Sequence, residues 1–278
     1  MSPYNTVRLF GLNAIDLPVG DTADYDDSYI CKGIDGLGPP ENDVSISRGK
    51  FQASAPRERQ LVVRVGLNAL WSGVGVTAAT LRQSLYGLLT GGYTGNGVSV
   101  ILMQDATEVA RVDGARVSKF EINPFSKDPE VLITLDCLGA YWSAPADYHV
   151  PSLGTLSKTN PSFNNTGDAP TGLHMKITFT GTVDTWQIQT QGGLKKLAVR
   201  YAPDVSARFL SGDILEFDTT PGQRFIQVTR GVDLINLLGT VTTDSEWFQL
   251  YGGTNNFVVN TSAFNWTDIW FRPQFWGV

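Results

Sequence analysis

Alternation between apolar and polar positions is the strongest signal along this chain. From 173 to 179, Leu173, Met175, Ile177 and Phe179 fall on one side and His174, Lys176 and Thr178 on the other. That is the period-two signature of a half-buried strand. A turn-rich cluster, Asn164-Asn165-Thr166-Gly167-Asp168-Ala169-Pro170-Thr171-Gly172, leads into it. Its Asn, Gly, Asp and Pro residues supply the backbone angles of tight connections, so the stretch reads as the entrance to a second domain. Alternation recurs at 59–67, where Leu61, Val63, Val65 and Leu67 share a face.

Further strands are expected at 6–12, 44–51, 98–103, 108–112, 116–122 and 130–136, the last running on toward Trp142. Asp113-Gly114 is a hairpin-turn signal between two of them, and 123–129 is a longer turn. In the second half the expected strands lie at 186–190, 197–201, 214–218, 224–229, 247–250, 257–260, 268–271 and 274–276, with Ser211-Gly212-Asp213 and Thr220-Pro221-Gly222-Gln223 as turns. Short strands at 8–12-residue spacing mark a sandwich or barrel. Helical period occurs once. Leu81, Leu85, Leu88 and Leu89 line one face of a segment over about 77–90, with Thr77 as N-cap and Gly91-Gly92 as stop. The fold class is therefore mainly β. The N-terminal part, 1–145, is an α+β sandwich or barrel with one helix, and 146–278 is a second β-sandwich; Pro145, Pro151 and Pro161 punctuate the join.

Composition narrows the function. A length of 278 residues suits two domains, and 42% hydrophobic with 17% charged residues supports a packed core. The formal charge of −6 disfavours sequence-specific nucleic-acid binding, which needs a dense basic face. No apolar run of about 18 residues occurs, so membrane insertion is not expected. Met1–Phe10 lacks the features of a secretory signal, which points to synthesis in a cytoplasm. Cys31 and Cys137 are too few for a disulfide framework or a zinc site and read as plain thiols, Cys137 in a buried strand.

Candidate chemistry is sparse. The acidic loop with Asp21, Asp24, Asp26 and Asp27 lacks the spacing of a calcium loop. The glycine-rich 91–97 segment follows a helix and precedes a strand, the wrong order for a phosphate cradle. Asp213, Glu216 and Asp218 read as solvated carboxylates rather than a glycosidase pair, and His174 as an outward strand residue. No nucleophile, base and charge stabiliser converge, so no enzyme, cofactor or metal site is expected. Five of the seven tryptophans follow residue 150. Exposed aromatics on a β-sandwich stack on sugars, so Trp186 and Trp247, with Asn255 and Asn256 in a glycine-rich loop, are the candidate carbohydrate contacts.

An ordered set of motifs carries a family likeness. Asn165-Thr166-Gly167-Asp168-Ala169-Pro170-Thr171 precedes Met175-Lys176-Ile177. Ser211-Gly212-Asp213-Ile214-Leu215 follows, then Phe248-Gln249-Leu250 and Gly252-Gly253-Thr254-Asn255-Asn256-Phe257. In this order they resemble the C-terminal domain of the distal tail proteins of phages with long, non-contractile tails. Leu135-Asp136-Cys137 to Tyr141-Trp142 is similar to the strand closing that family's N-terminal domain, with Gly139-Ala140 where the family often has Asp-Pro. The resemblance implies an N-terminal domain related to tail-tube proteins and a galectin-like C-terminal sandwich. It also implies a virion protein at the tail tip: a homohexameric ring joining tail tube to baseplate. Its implied partners are the tail-tube protein, the tail-tip hub protein and the tape-measure protein, with a receptor-binding protein or host glycan beyond them. The alternative is a lectin-like module for host adhesion.

Overall fold

The computed structural model describes residues 4–11, 13–19, 28–38, 44–47, 50–53, 58–68, 76–122 except 91–96, 129–137, 139, 141–201 and 208–278. The acidic loop at 21–27 and the glycine-rich positions 91–96 lie outside them. The chain divides into two compact units, Met1–Pro145 with Phe275–Val278, and Ala146–Gln274. No helix among the described residues is long and apolar enough to cross a membrane.

The first unit is a rolled sheet. Its strands are β1 (Thr6–Phe10), β2 (Ala14–Pro18), β3 (Tyr29–Asp35), β4 (Val44–Ser47), β5 (Lys50–Ala53), β6 (Arg59–Leu67), β7 (Val98–Gln104), β8 (Thr107–Ile122) and β9 (Glu130–Cys137). The main sheet runs β2-β1-β7-β8-β9-β6-β3, and a parallel bridge between Val19 and Cys31 brings its two ends together. Closing a sheet in this way removes exposed edges and encloses one core. Val7, Leu9, Leu61, Val63, Val65, Val100, Leu102, Ile133 and Leu135 fill it, each from an alternating position. Helix α1 (Ala78–Thr90) adds Leu81, Leu85 and Leu89 to that core. Its first turn is capped as the sequence predicts. The Thr80 amide donates to Thr77 Oγ1 at 3.2 Å, and the Thr77 amide donates to Thr80 Oγ1 at 2.9 Å. Such a reciprocal cap stabilises a helix by about 1 kcal/mol.

Two local expectations fail here. Asp113-Gly114 is not a hairpin turn: β8 continues through it, 16 residues long in all, pairing with β7 first and β9 afterwards. The reversal lies instead at Asp105-Ala106, both with positive φ. The Asn5 amide group donates to Asp105 Oδ1 at 2.7 Å, and Asn5 Oδ1 accepts from the Asp105 amide at 3.2 Å, which holds that turn from outside it. Gly114 has a different task. Its φ of 70° lets the strand bend, and a Cβ on Gly97 would lie 2.7 Å from the Gly114 carbonyl carbon. The expected single strand at 44–51 is also two strands, β4 and β5, which pair with each other and with no other strand among the described residues.

Arg59 closes the first unit around the chain terminus. It is 3% exposed, lies 5.6 Å from the Trp142 ring, and donates to the carbonyls of Gly36, Gly38 and Trp276 at 2.5, 2.8 and 2.5 Å. Three carbonyl acceptors replace the water a buried guanidinium loses. Burial lowers its affinity for the proton. Cys31 and Cys137 are buried free thiols, and burial pushes Cys137 up to about 11.

The second unit is a sandwich of two antiparallel sheets. Two short strands, β10 (Trp142–Ser143) and β21 (Gln274–Phe275), pair with each other, and β10 also with β8, in the first unit's sheet; the sandwich is built from β11 (Tyr148–His149), β12 (Ser162–Asn165), β13 (His174–Phe179), β14 (Thr185–Thr190), β15 (Lys196–Arg200), β16 (Ile214–Asp218), β17 (Phe225–Arg230), β18 (Asp233–Asn236), β19 (Gly253–Val259) and β20 (Phe264–Phe271). One sheet runs β11-β20-β13-β16-β17-β18 and the other β12-β19-β14-β15. Leu173, Met175, Ile177 and Phe179 point into the shared core, as their alternation predicts. In β20 the pairing with β13 slips between Lys176 and Ile177 and leaves Thr267 as a bulge. One extra residue switches the parity of a strand. Phe264 and Trp266 before it, and Ile269 and Phe271 after it, therefore all face the core.

Candidate functional site

The turn that opens the second unit is a clasp. Asn165 is buried; its side-chain oxygen accepts from the Gly167 amide at 3.0 Å and its amide donates to the Ala169 carbonyl at 3.3 Å. Asp168 is exposed. Two glycines are required by close approach. A Cβ on Gly167 would lie 2.2 Å from the Gln274 carbonyl oxygen, and one on Gly172 would lie 2.4 Å from Thr220 Cα. Both distances are far inside van der Waals contact, so the backbone itself would have to move.

The residues beyond the clasp differ from their expected exposure. His174 is 9% exposed, not outward in solvent, and Asp213 and Asp218 are buried rather than solvated. Strand pairing explains the first cluster: His174 stands opposite Asp218 on one side and Trp270 on the other. Its Nε2 is 3.1 Å from Glu216 Oε1, its Nδ1 is 3.6 Å from Asp218 Oδ2, and its ring stacks on Trp270 at 4.6 Å and 14°. Gln227 donates to Glu216 Oε2 at 3.0 Å and the Thr220 amide to Asp218 Oδ1 at 2.6 Å. Burial pushes the Asp218 carboxyl up, but His174 and Thr220 outweigh it and hold it below the ordinary carboxylate value. The second cluster centres on Asp213. It accepts from Arg230 Nε and Nη2 at 2.8 and 2.5 Å, while the guanidinium lies 3.7 Å from the Tyr201 ring centroid. Among the described residues His174 Nδ1 is buried without a hydrogen-bond partner, 3.6 Å from Asp218 Oδ2, while the paired carboxylates, Gln227 and Arg230 tie neighbouring strands together and brace the sheet. Among the described residues no group of three His, Cys, Asp or Glu side chains is arranged to hold a metal ion.

The four candidate sugar contacts separate. Trp186 has no exposed surface and packs between Phe217 at 5.3 Å and Phe264 at 6.5 Å. A side chain closed on all sides offers no face to a ligand, so this residue is core. Trp247 is half-buried beneath the Arg224 guanidinium, 5.4 Å from its ring. Asn255 spends its carboxamide on its own loop: it accepts from the Tyr251 amide at 2.9 Å and donates to the carbonyls of Tyr251 and Gly253 at 2.7 and 2.9 Å. Asn256 is exposed.

Asn255 and Asn256 border an open cleft of about 410 Å3. Its walls are the β14–β15 turn, Thr190 to Lys195, and the segment from Gln249 to Phe257. The Gln191 amide donates to the Asn256 carbonyl at 2.9 Å and joins the two walls. Tyr251, 55% exposed, and Leu194, 85% exposed, stand at its rim. The glycine-rich loop was legible in the sequence, but its partner wall was not. Gln191 and Asn256 are neighbours only because β14 pairs with β19.

Residues 166–275 match the family model of the siphovirus-type tail component, C-terminal domain. Over nearly its full length the chain shares a fold with the SPP1 Dit protein (gp 19.1). That crystal structure is described as a paradigm of the hub adsorption apparatus in phages that infect Gram-positive bacteria. The TM-score is 0.63 at 15% identity, covering 97% of this chain and 99% of that one. Chains of the phage p2 baseplate in its activated conformation, with Sr and with Ca, align at TM-scores of 0.45 and identities of 8% and 9%, each covering 97% of both chains. No curated protein matches the chain.

Proposed function

We propose that the protein is a distal tail protein of the virion, a hexameric ring joining the tail tube to the baseplate; the match of residues 166–275 to the siphovirus-type tail component, C-terminal domain, and the fold shared with SPP1 Dit support this reading. The observation that carries the ring is the β4–β5 hairpin. It pairs only with itself among the described residues. A lone two-stranded hairpin is marginally stable in water and needs a surface to pack on. A neighbouring copy in a cyclic assembly supplies that surface, and cyclic symmetry repeats the contact around the ring.

The rest of the molecule suits a scaffold. Its polar clusters are spent on bracing sheets, and its two cores are separately closed. A hub of this kind holds the tail-tube, tape-measure and tip proteins through faces of the ring and performs no catalysis. Light scattering and negative-stain imaging of the purified chain test the reading. A ring of about six subunits is expected, as the family likeness implies, and a variant with residues 44–53 replaced by a short Gly-Ser linker is expected to be monomeric. A wild-type chain that stays monomeric at high concentration, in the presence of tail-tube protein as well, sinks the proposal.

A further inference from the structure

We infer that the cleft between the β14–β15 turn and the Gln249–Phe257 segment is a saccharide-binding site, with Tyr251 as its stacking platform. Four observations carry this, and none depends on the ring assembly.

The first is size. A cleft of about 410 Å3 falls in the range of about 300–1,000 Å3 typical of small-molecule sites. The second is chemistry. Gln191, Gln249 and Asn256 present carboxamides, Thr254 a hydroxyl and Lys195 an ammonium at the cleft. None of these five side-chain groups hydrogen-bonds to another side chain or to the backbone among the described residues. Carboxamides donate and accept at once, as sugar hydroxyls do. Among the described residues Lys195 is the one charged lining residue, which admits a neutral sugar or one with a single acidic group.

The third observation is the aromatic ring. Tyr251 is 55% exposed at the rim, and no core role accounts for it. The apolar face of a pyranose stacks on such a ring, while its hydroxyls reach the amides. The fourth is preorganisation. Asn255 holds both the amide and the carbonyl of Tyr251, and the Gln191 amide ties the opposite wall to Asn256. The backbone that carries the platform is therefore held before ligand arrives, which lowers the ordering cost of binding.

Saturation-transfer NMR on the full chain tests the site, with methyl glycosides of glucose, galactose, N-acetylglucosamine, rhamnose and glucuronic acid as probes. Transfer to ring protons of at least one probe is expected. Tyr251→Ala and Asn256→Ala are each expected to weaken it about fivefold or more, while Tyr251→Phe, which keeps the ring, retains it. Tyr148→Ala, at an exposed tyrosine of another sheet, is expected to change nothing. Circular dichroism checks that each variant is folded. The inference is overturned if no probe shows transfer, or if transfer survives both alanine variants. It is equally overturned if a tail protein, and no probe, protects the 251–256 amides from exchange.

Discussion

Trp186 separates a binding role from a packing role most sharply. Replacement by Ala removes an indole with no exposed surface from between Phe217 and Phe264. A buried Trp covers about 150–250 Å2 of area, which at about 25 cal/mol per Å2 is worth roughly 4–6 kcal/mol. Measured truncations of buried Trp or Phe to Ala cost about 3–5 kcal/mol, so the two routes agree on roughly 4. Against a domain stability of about 5–15 kcal/mol, that is a large fraction, and the melting point of the second unit should fall by roughly 10–20 °C. Its Nε1 has no hydrogen-bond partner among the described residues, so Trp186→Phe loses only volume and should cost about 1–2 kcal/mol. Calorimetry resolves the transitions, and urea titration followed by fluorescence gives the free energies. A Trp186→Ala protein that melts within about 2 °C of wild type, or one that loses saccharide binding with full stability, refutes the core assignment.

Two further outcomes follow from the buried charges. Arg230→Met strands the buried Asp213 carboxylate and is expected to cost about 3–5 kcal/mol, while adding Asp213→Asn recovers part of that loss in urea titrations; an unchanged midpoint in the single variant counts against the pairing. The Asp218 carboxyl sits below its unfolded value of about 3.9, so it stabilises the fold above about pH 4 and that stabilisation is lost as pH falls through the lowered folded value. Urea midpoints measured between about pH 5 and about pH 2 should fall less steeply in Asp218→Asn than in wild type, and parallel curves contradict the assignment.

Local pattern determined much of this protein. Alternation in β6 and β13 named the core residues, because a strand exposes its faces in turn and only one face is apolar. The cap at Thr77 and the turn at Gly212-Asp213 were legible because their chemistry is complete within a few residues. Tertiary pairing decided what local pattern left open. Gly114 signals a turn by composition, yet β7 and β9 pair with β8 on either side of it, so the strand bends there and continues rather than reversing. The outward side of β13 is polar in sequence, but Asp218 and Trp270 arrive beside His174 from strands about 45 and 95 residues away and bury it. Trp186 reads as a sugar platform until the two sheets close over it. The cleft exists only because β14 and β19 are neighbours, so its walls are distant in sequence. Hydrophobic periodicity is a property of a single segment, whereas burial and convergence depend on which segments meet.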